Sequence, residues 1–300
     1  MSDAIDHRAI IAGLSAEERA MLTGRRNGPG LFRLVVHGGA IAGLGALVLA
    51  GVPWWPLLLL PQGILIVFLF TLLHECVHET AFATPWLNRA VAAIAGFLVM
   101  VPATWFRYFH FAHHRHTHDP ENDPELMSPK PETVWQYAKY LSGIPLWIGM
   151  SRTILLNAAR PSTESYVPEK GRRKVHDEAR LTLALYGGLV GGSIALGTDA
   201  LLWIWAVPVL LGQPFLRAYL LAEHARCPHV ANMLENTRTT FTTALVRFVA
   251  WNMPYHAEHH AYPAVPFHRL PQFHDVVRDH LRTTERGYGR FHKRFIEGLR

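Results

Sequence analysis

The sequence predicts an all-α integral membrane protein with four transmembrane helices, additional interfacial helices and a histidine-rich cap on the cytoplasmic side. Three observations support this fold class. Half of the 300 residues are hydrophobic, yet the mean hydropathy is only +0.10, because the apolar residues stand in blocks between polar stretches. Several blocks are about twenty residues long, and such a helix measures roughly 30 Å, enough to cross the hydrocarbon of a bilayer. The chain also contains 19 histidines, which concentrate in the polar stretches.

Four apolar blocks are predicted to cross the membrane. Turns of glycine with proline or aspartate separate them, at 51–53 and at 197–199. The polar residues 1–30 are expected to form a cytoplasmic N-terminal segment without a cleavable signal peptide, and residues 31–300 to form one membrane domain. The four predicted spans are residues 32–52, 54–73, 181–198 and 201–221.

Two further apolar stretches are not predicted to cross. Residues 86–104 lie between histidine clusters that must meet on one side of the membrane, so this stretch is predicted to be a re-entrant or interfacial helix. Residues 137–157 are interrupted by Lys139 and Pro145 and are predicted to lie in the interface. Residues 160–180 are predicted to be a basic loop, and its positive charge marks the cytoplasmic side.

Eight histidines fall into three clusters whose spacing places each cluster on one face of a helix. The first cluster has the spacing i, i+4, and the other two have the spacing i, i+3, i+4. Neutral imidazole is the commonest side-chain metal ligand, and one ion takes about four protein ligands. Eight histidine ligands are too many for one metal ion and enough for two. The clusters are His74 and His78; His110, His113 and His114; and His256, His259 and His260.

His224 is predicted to be a ninth ligand, because it stands where the last span leaves the membrane, as His74 does on the second span. Polar neighbours of the clusters are predicted to accept hydrogen bonds from the rings and so to orient the ligands. Other histidines in the same stretches lie off the shared faces, which favours supporting or surface roles. The predicted orienting residues are Glu75, Asp119, Glu223, Asn252 and Glu258, and the histidines outside the ligand set are His116, His118, His268 and His274.

Two other functions fit parts of this pattern. Residues 74–78 read H-E-x-x-H, the zinc metalloprotease motif, in which Glu75 would be the general base. A protease with one zinc ion would leave the other two clusters without a role. A metal transporter would place its ligands along the spans, whereas these histidines crowd the helix ends. Both interpretations are therefore disfavoured.

The order of the three clusters among four spans resembles the membrane fatty acid desaturase family, from about residue 55 to residue 275. The resemblance implies two iron ions, O2 as cosubstrate, and attack on an unactivated C–H bond. Introduction of a double bond into a fatty acyl chain is the first function that it implies. The same motifs occur in monooxygenases, so hydroxylation or oxidative demethylation of a lipid or small molecule is the alternative.

The resemblance also implies partners. The substrate would enter from the bilayer, and nearby aromatic residues fit either the wall of its tunnel or an interfacial belt. The sequence contains neither a His-Pro-Gly-Gly haem motif nor G-x-G-x-x-G, so a separate donor such as a ferredoxin with its reductase would supply electrons. Residues 160–180 would dock that donor, fix the topology or bind anionic lipid. No nucleic-acid partner is expected, and a bacterial inner membrane is the expected location. The aromatic residues are Trp105, Phe106, Tyr108, Phe109 and Trp251.

Overall fold

The computed structural model describes residues 5–300, which form fifteen α-helices and two short strands. A 3₁₀ turn, Trp55–Leu58, leads into α4, and a π-helical turn, Leu202–Ala206, leads into α10. The elements are α1 His7–Gly13, α2 Ala16–Thr23, α3 Asn27–Leu49, α4 Leu59–Val77, α5 Pro85–Leu98, α6 Ala103–His116, α7 Val134–Leu141, α8 Ile144–Ala159, α9 Glu169–Leu196, α10 Val207–His224, α11 Met233–Asn236, β1 Thr239–Phe241, α12 Ala244–Val249, α13 His256–Ala261, α14 Leu270–Val277, β2 Thr284–Arg286 and α15 Tyr288–Glu297.

Four helical stretches in residues 5–300 are long and apolar enough to cross a membrane. Their number equals the number of spans predicted from the sequence, with the bent pair Pro85–Leu98 and Ala103–His116 counted separately. The first and third stretches begin before the predicted boundaries, because polar residues precede their apolar parts. The stretches are Ala16–Leu49, Trp55–Val77, Glu169–Leu196 and Leu202–His224.

Helices α4 and α10 pack with their backbones in contact at two glycines. A Cβ added to Gly63 would lie 1.9 Å from the carbonyl oxygen of Pro208, and one added to Gly212 would lie 2.3 Å from the carbonyl of Gly63. Small residues permit such close approach between spanning helices. The packing brings the ends of α4 and α10, which carry His74 and His224, to the same place.

Helices α5 and α6 form a bent pair with an angle of 99° between them. The pair returns the chain to the end of α4, because Nε2 of His110 lies 2.9 Å from Nε2 of His78. The bend falls within residues 86–104, the segment for which a re-entrant or interfacial helix was predicted. The carboxylate of Glu178 accepts hydrogen bonds from the free backbone N–H groups of Thr104 and Trp105 at 3.0 and 3.3 Å. Helix α9 thereby anchors the first turn of α6.

The prediction of a loop over residues 160–180 is wrong for its second half. Helix α9 begins at Glu169, directly after Pro168. Glutamate, lysine, arginine and alanine dominate the next three turns and are good helix formers. The charge pattern indicated exposure correctly, but exposure does not distinguish a charged helix from a loop.

The cap is built from residues 225–300 together with the N-terminal helices. Strands β1 and β2 pair in parallel, with Thr239 opposite Thr284. Helices α1 and α2 pack onto this cap, where Nδ1 of His7 lies 3.3 Å from Oδ1 of Asn232 and Leu22 is buried in the core. The N-terminal segment is therefore packed against the region that contains the third histidine cluster.

Candidate metal centre

The structure gathers all nine predicted ligand histidines into two adjacent groups. Within each of two sets, one ring nitrogen from every member lies within 4.8 Å of the others. His256 joins the second set, because its Nε2 lies 3.1 Å from Nε2 of His224. The five-histidine group is His74, His78, His110, His114 and His259, and the four-histidine group is His113, His224, His256 and His260.

The distances between ring nitrogens fit metal coordination. In the five-histidine group, Nε2 of His114 lies 3.0 Å from that of His110 and 3.2 Å from that of His259. In the four-histidine group, Nε2 of His113 lies 3.2 Å from that of His224. Nitrogens bound to one ion at about 2.0–2.1 Å are themselves separated by roughly 3 Å.

Several of these nitrogens are buried and have no hydrogen-bond partner in residues 5–300. They include both ring nitrogens of His74 and Nε2 of His260. Burial of polar atoms without partners costs free energy, and a bound cation would supply the missing interaction. An all-imidazole donor set suits first-row transition metals. The residues therefore fit two metal ions.

Burial favours the neutral form of the three histidines of the third cluster. Burial lowers the pKa of His256, His259 and His260 well below the usual value, and neighbouring histidines lower it further. A neutral imidazole keeps a free lone pair. These rings are therefore ready to bind a metal ion.

Asp123 has the orienting role that was predicted for Asp119. Oδ1 of Asp123 lies 2.9 Å from Nδ1 of His113, and its Oδ2 accepts a hydrogen bond from the backbone of His118. Asp119 is half-exposed and lies 3.7 Å from Nδ1 of His116, outside both groups. The prediction for Asp119 is wrong because the segment contains two Asp-Pro steps, and the sequence alone did not show which carboxylate would turn inward.

Glu75 and Glu223 lie beside ligand histidines. Oε1 of Glu75 is 4.0 Å from Nδ1 of His259, and Oε1 of Glu223 is 3.5 Å from Nδ1 of His256. Glu75 is fully buried, and its Oε2 accepts hydrogen bonds from the backbone of Phe267 at 3.1 Å and from Thr80 at 3.0 Å. Both carboxylates are neighbours of ligand rings, but neither accepts a hydrogen bond from its ring, since Nδ1 of His256 and of His259 has no hydrogen-bond partner in residues 5–300.

Glu258 makes its hydrogen bonds within the cap, and Asn252 joins the cap to α3, instead of orienting a ligand. The carboxylate of Glu258 accepts hydrogen bonds from His274 and Thr239. The side chain of Asn252 accepts from Arg33 at 3.1 Å and donates to a backbone carbonyl at 2.8 Å. The prediction that these two residues contact ligand rings is therefore wrong.

His116, His118 and His268 lie outside both groups. His116 is about one-third exposed beside Asp119. His118 is buried with its ring 5.5 Å from that of His224, and burial beside His229 lowers its pKa to about 4. Burial and Arg269 lower the pKa of His268 to about 4 as well. His118 is thus the nearest of the three to the ligand set.

The sequence model of the fatty acid desaturase family matches residues 49–292. The chain belongs to the fatty acid desaturase family. It is similar to the endoplasmic reticulum omega-6 fatty acid desaturase of Brassica juncea, with 26% identity over 202 residues, which are 58% of this chain and 51% of that protein. It is also similar to the chloroplastic omega-3 fatty acid desaturase of Glycine max, with 26% identity over 238 residues, 72% and 52% of the two chains. The chain spans about half the length of these two relatives.

The family to which the chain belongs is one of desaturases and not of metalloproteases. The metalloprotease interpretation of residues 74–78 therefore does not hold. The carboxylate of Glu75, which that interpretation makes the general base, is fully buried and faces His259 and the backbone of Phe267.

The desaturase homologue has a cavity of about 220 Å³ beside both histidine groups. Trp105, Phe106 and Phe109 line it. Tyr108 instead packs against Gly171, and Trp251 is fully buried in the cap. The ligand histidines in the cavity wall are His74, His110, His113 and His256.

Proposed function

We propose that this protein is a di-iron, O2-dependent desaturase that introduces a double bond into a fatty acyl chain. Two adjacent groups of imidazoles open onto a cavity lined largely by apolar side chains, and this observation supports the proposal most strongly. Two bound iron ions would supply an oxidant strong enough for an unactivated C–H bond, which zinc, lacking redox chemistry, would not.

The reaction requires electrons from outside the protein. Removal of two hydrogen atoms from neighbouring carbons supplies two electrons and two protons. Two more electrons and two more protons complete the reduction of O2 to two molecules of water. We propose a separate one-electron carrier, such as a ferredoxin with its reductase, as the donor, and the cytoplasmic face as its side of approach.

Individual side chains of this protein have distinct proposed roles. Nine histidines hold the two ions, and Asp123 fixes the orientation of the His113 ring. The cavity aromatics Trp105 and Phe106 exclude water from the reacting carbon. Water exclusion prevents loss of the oxidant to side reactions.

Two surfaces fit the electron donor. The start of α9 is basic, as predicted, and exposes Arg172, Arg173 and Lys174. A second, solvent-open pocket of about 490 Å³ is lined by the ligands His78 and His114 beside exposed arginines. We favour the second surface, because it brings an acidic donor closest to the metal-binding rings.

Hydroxylation is the second candidate function, and the polar end of the cavity favours it. Lys130, Arg217 and Gln213 line that end, which suits a smaller and more polar substrate than a long acyl chain.

Expression in a lipid-competent host with a ferredoxin and its reductase tests the proposal. Mass spectrometry of the products is expected to show loss of two hydrogen atoms, dependent on O2 and absent in His113→Ala. A product that has gained one oxygen atom would show that the protein is a hydroxylase and not a desaturase. No oxidised product from the iron-loaded protein would contradict both.

A further inference from the structure

The cavity beside the histidine groups ends in a polar wall on α10. Gln213 and Arg217 line this wall and stand four residues apart, so they share one face of the helix. Both belong to the stretch Leu202–His224, which is long and apolar enough to span the membrane. A charged side chain within such a helix is costly, faces the protein interior and marks a functional site.

The donors of this wall have no acceptor in residues 5–300. Gln213 is only 3% exposed, and its amide nitrogen has no hydrogen-bond partner. The buried Nε of Arg217 also has none, and no carboxylate lies within 4.0 Å of its guanidinium. Lys130 differs, because its ammonium contacts the carboxylate of Glu125. The two carboxylates that line the cavity lie elsewhere, Glu125 against Lys130 and Glu223 beside His256. Arg217 therefore brings to the cavity a positive charge that no carboxylate pairs with, and Gln213 adds a second set of N–H donors.

Both side chains are held in place before any ligand binds. The guanidinium carbon of Arg217 lies 3.9 Å from the centre of the Tyr140 ring, a cation–π contact that fixes its plane. The side chain of Gln213 packs directly on Gly143, where an added Cβ would lie 2.2 Å from its Cγ. A fixed planar guanidinium is suited to bidentate recognition of a carboxylate or phosphate.

The size of the cavity limits the rest of the ligand. Its volume of about 220 Å³ lies below the roughly 300–1,000 Å³ of pockets that enclose drug-sized ligands. Arg217 and His224 are seven residues apart on one helix, which corresponds to roughly 10 Å along the axis. An extended chain advances about 1.2 Å per bond, so about eight bonds cover this distance.

We infer that the substrate of this site is a short amphiphile with an anionic head group, held by Arg217 and Gln213, whose chain of about eight carbons extends toward the metal-binding histidines. This inference rests on the proposed function and narrows its substrate from acyl chains in general to a short free acid or phosphate ester. Oxidation would fall near the end of the chain that lies farthest from the head group.

Calorimetric titration of the full-length protein in nanodiscs, corrected with empty nanodiscs, tests the inference. The ligands are octanoate, octyl phosphate and the neutral octanol. At least one anion is expected to bind ten times more tightly than octanol, and the tighter one identifies the head group. Arg217→Gln is expected to weaken anion binding about 10–100-fold, because hydrogen bonds to charged groups are strong. Arg152→Gln, which changes an exposed arginine of α8, is the matched control and is expected to bind like the wild type.

Equal binding of octanol and both anions would overturn the inference, and so would wild-type anion binding by Arg217→Gln. If Arg217→Gln does not fold, Arg217→Lys and Gln213→Leu replace it. Each is expected to weaken binding several-fold, and unchanged binding in both would overturn the inference. Because binding is measured without turnover, the titration tests the substrate inference separately from the proposed function. Anion binding through Arg217 without any oxidised product would contradict only the proposed function.

Discussion

The two histidine groups differ in how they are supported. The five-histidine group has a spare ligand and reaches solvent through the half-buried His78 and His114. Glu75 is its one carboxylate neighbour within 4.0 Å in residues 5–300. The four-histidine group is entirely buried and has three carboxylate neighbours within that distance, from Asp123, Glu125 and Glu223. We therefore expect the five-histidine group to hold its metal ion through the number of its ligands. The four-histidine group is expected to hold its ion with the help of the neighbouring negative charges.

Removal of one ligand is expected to reduce metal binding more in the four-histidine group than in the five-histidine group. His113→Ala leaves three ligands there and should lose at least one iron per chain together with all turnover. His259→Ala leaves four ligands in its own group and should retain more iron. Elemental analysis of the purified variants measures both. His116→Ala, on the same helix as His113 but outside both groups, is the control and should retain iron and activity. Equal iron loss in His113→Ala and His259→Ala would contradict the comparison.

Removal of an orienting carboxylate is expected to have the next largest effect. Asp123→Asn weakens the support of the His113 ring, and loss of such a partner lowers metal affinity about 10–100-fold. Competition with a metal chelator measures this change. Asp119→Asn is the matched control, and its affinity should stay within about threefold of the wild type. A larger effect of Asp119→Asn than of Asp123→Asn would show that the assignment made here is reversed.

A change in the contact between α4 and α10 is expected to disturb both groups together, since these helices contribute His74 and His224. Gly63→Ala introduces a methyl group where the backbone of Pro208 leaves no room. Such overpacking costs about 1–3 kcal/mol and should lower the melting temperature in detergent. Gly43→Ala meets nothing within 4 Å and should leave the melting temperature unchanged or slightly higher. Equal stability of the two variants would argue against the close helix contact.

The exposed edge of the five-histidine group gives the smallest predicted effect. Arg115→Glu places a negative charge beside His114 in the solvent-open pocket. The KM for an acidic ferredoxin should rise several-fold, and the effect should shrink at high salt because surface charges are screened. Lys174→Glu makes the same charge change at the start of α9. A larger rise in KM for Lys174→Glu would move the docking surface to α9.

Much of the fold could be predicted because hydropathy and helical spacing are local properties. Spacing placed His110, His113 and His114 on one helix, and the structure divides them between the two groups. That division was not predictable, because it depends on how α6 crosses α4 and α10.

The errors fall where the sequence offers equivalent choices. Asp119 and Asp123 have the same neighbour, a proline, and only the fold turns Asp123 inward. The charged sequence at the start of α9 is compatible with both a loop and an exposed helix. Arg217 gives no signal in the hydropathy pattern, because a single charge hardly lowers the average hydropathy of a span, although its cost in a membrane is large.

The metal content of the purified wild-type protein tests the central claim most directly. Elemental analysis combined with Mössbauer spectroscopy on protein from iron-57 medium counts the ions and reports their ligands. We predict two irons per chain in nitrogen-rich environments that are distinguishable from each other, since the two histidine groups differ in ligand number and in neighbouring charge. A single zinc ion per chain, or one iron with only one group occupied, would contradict the account.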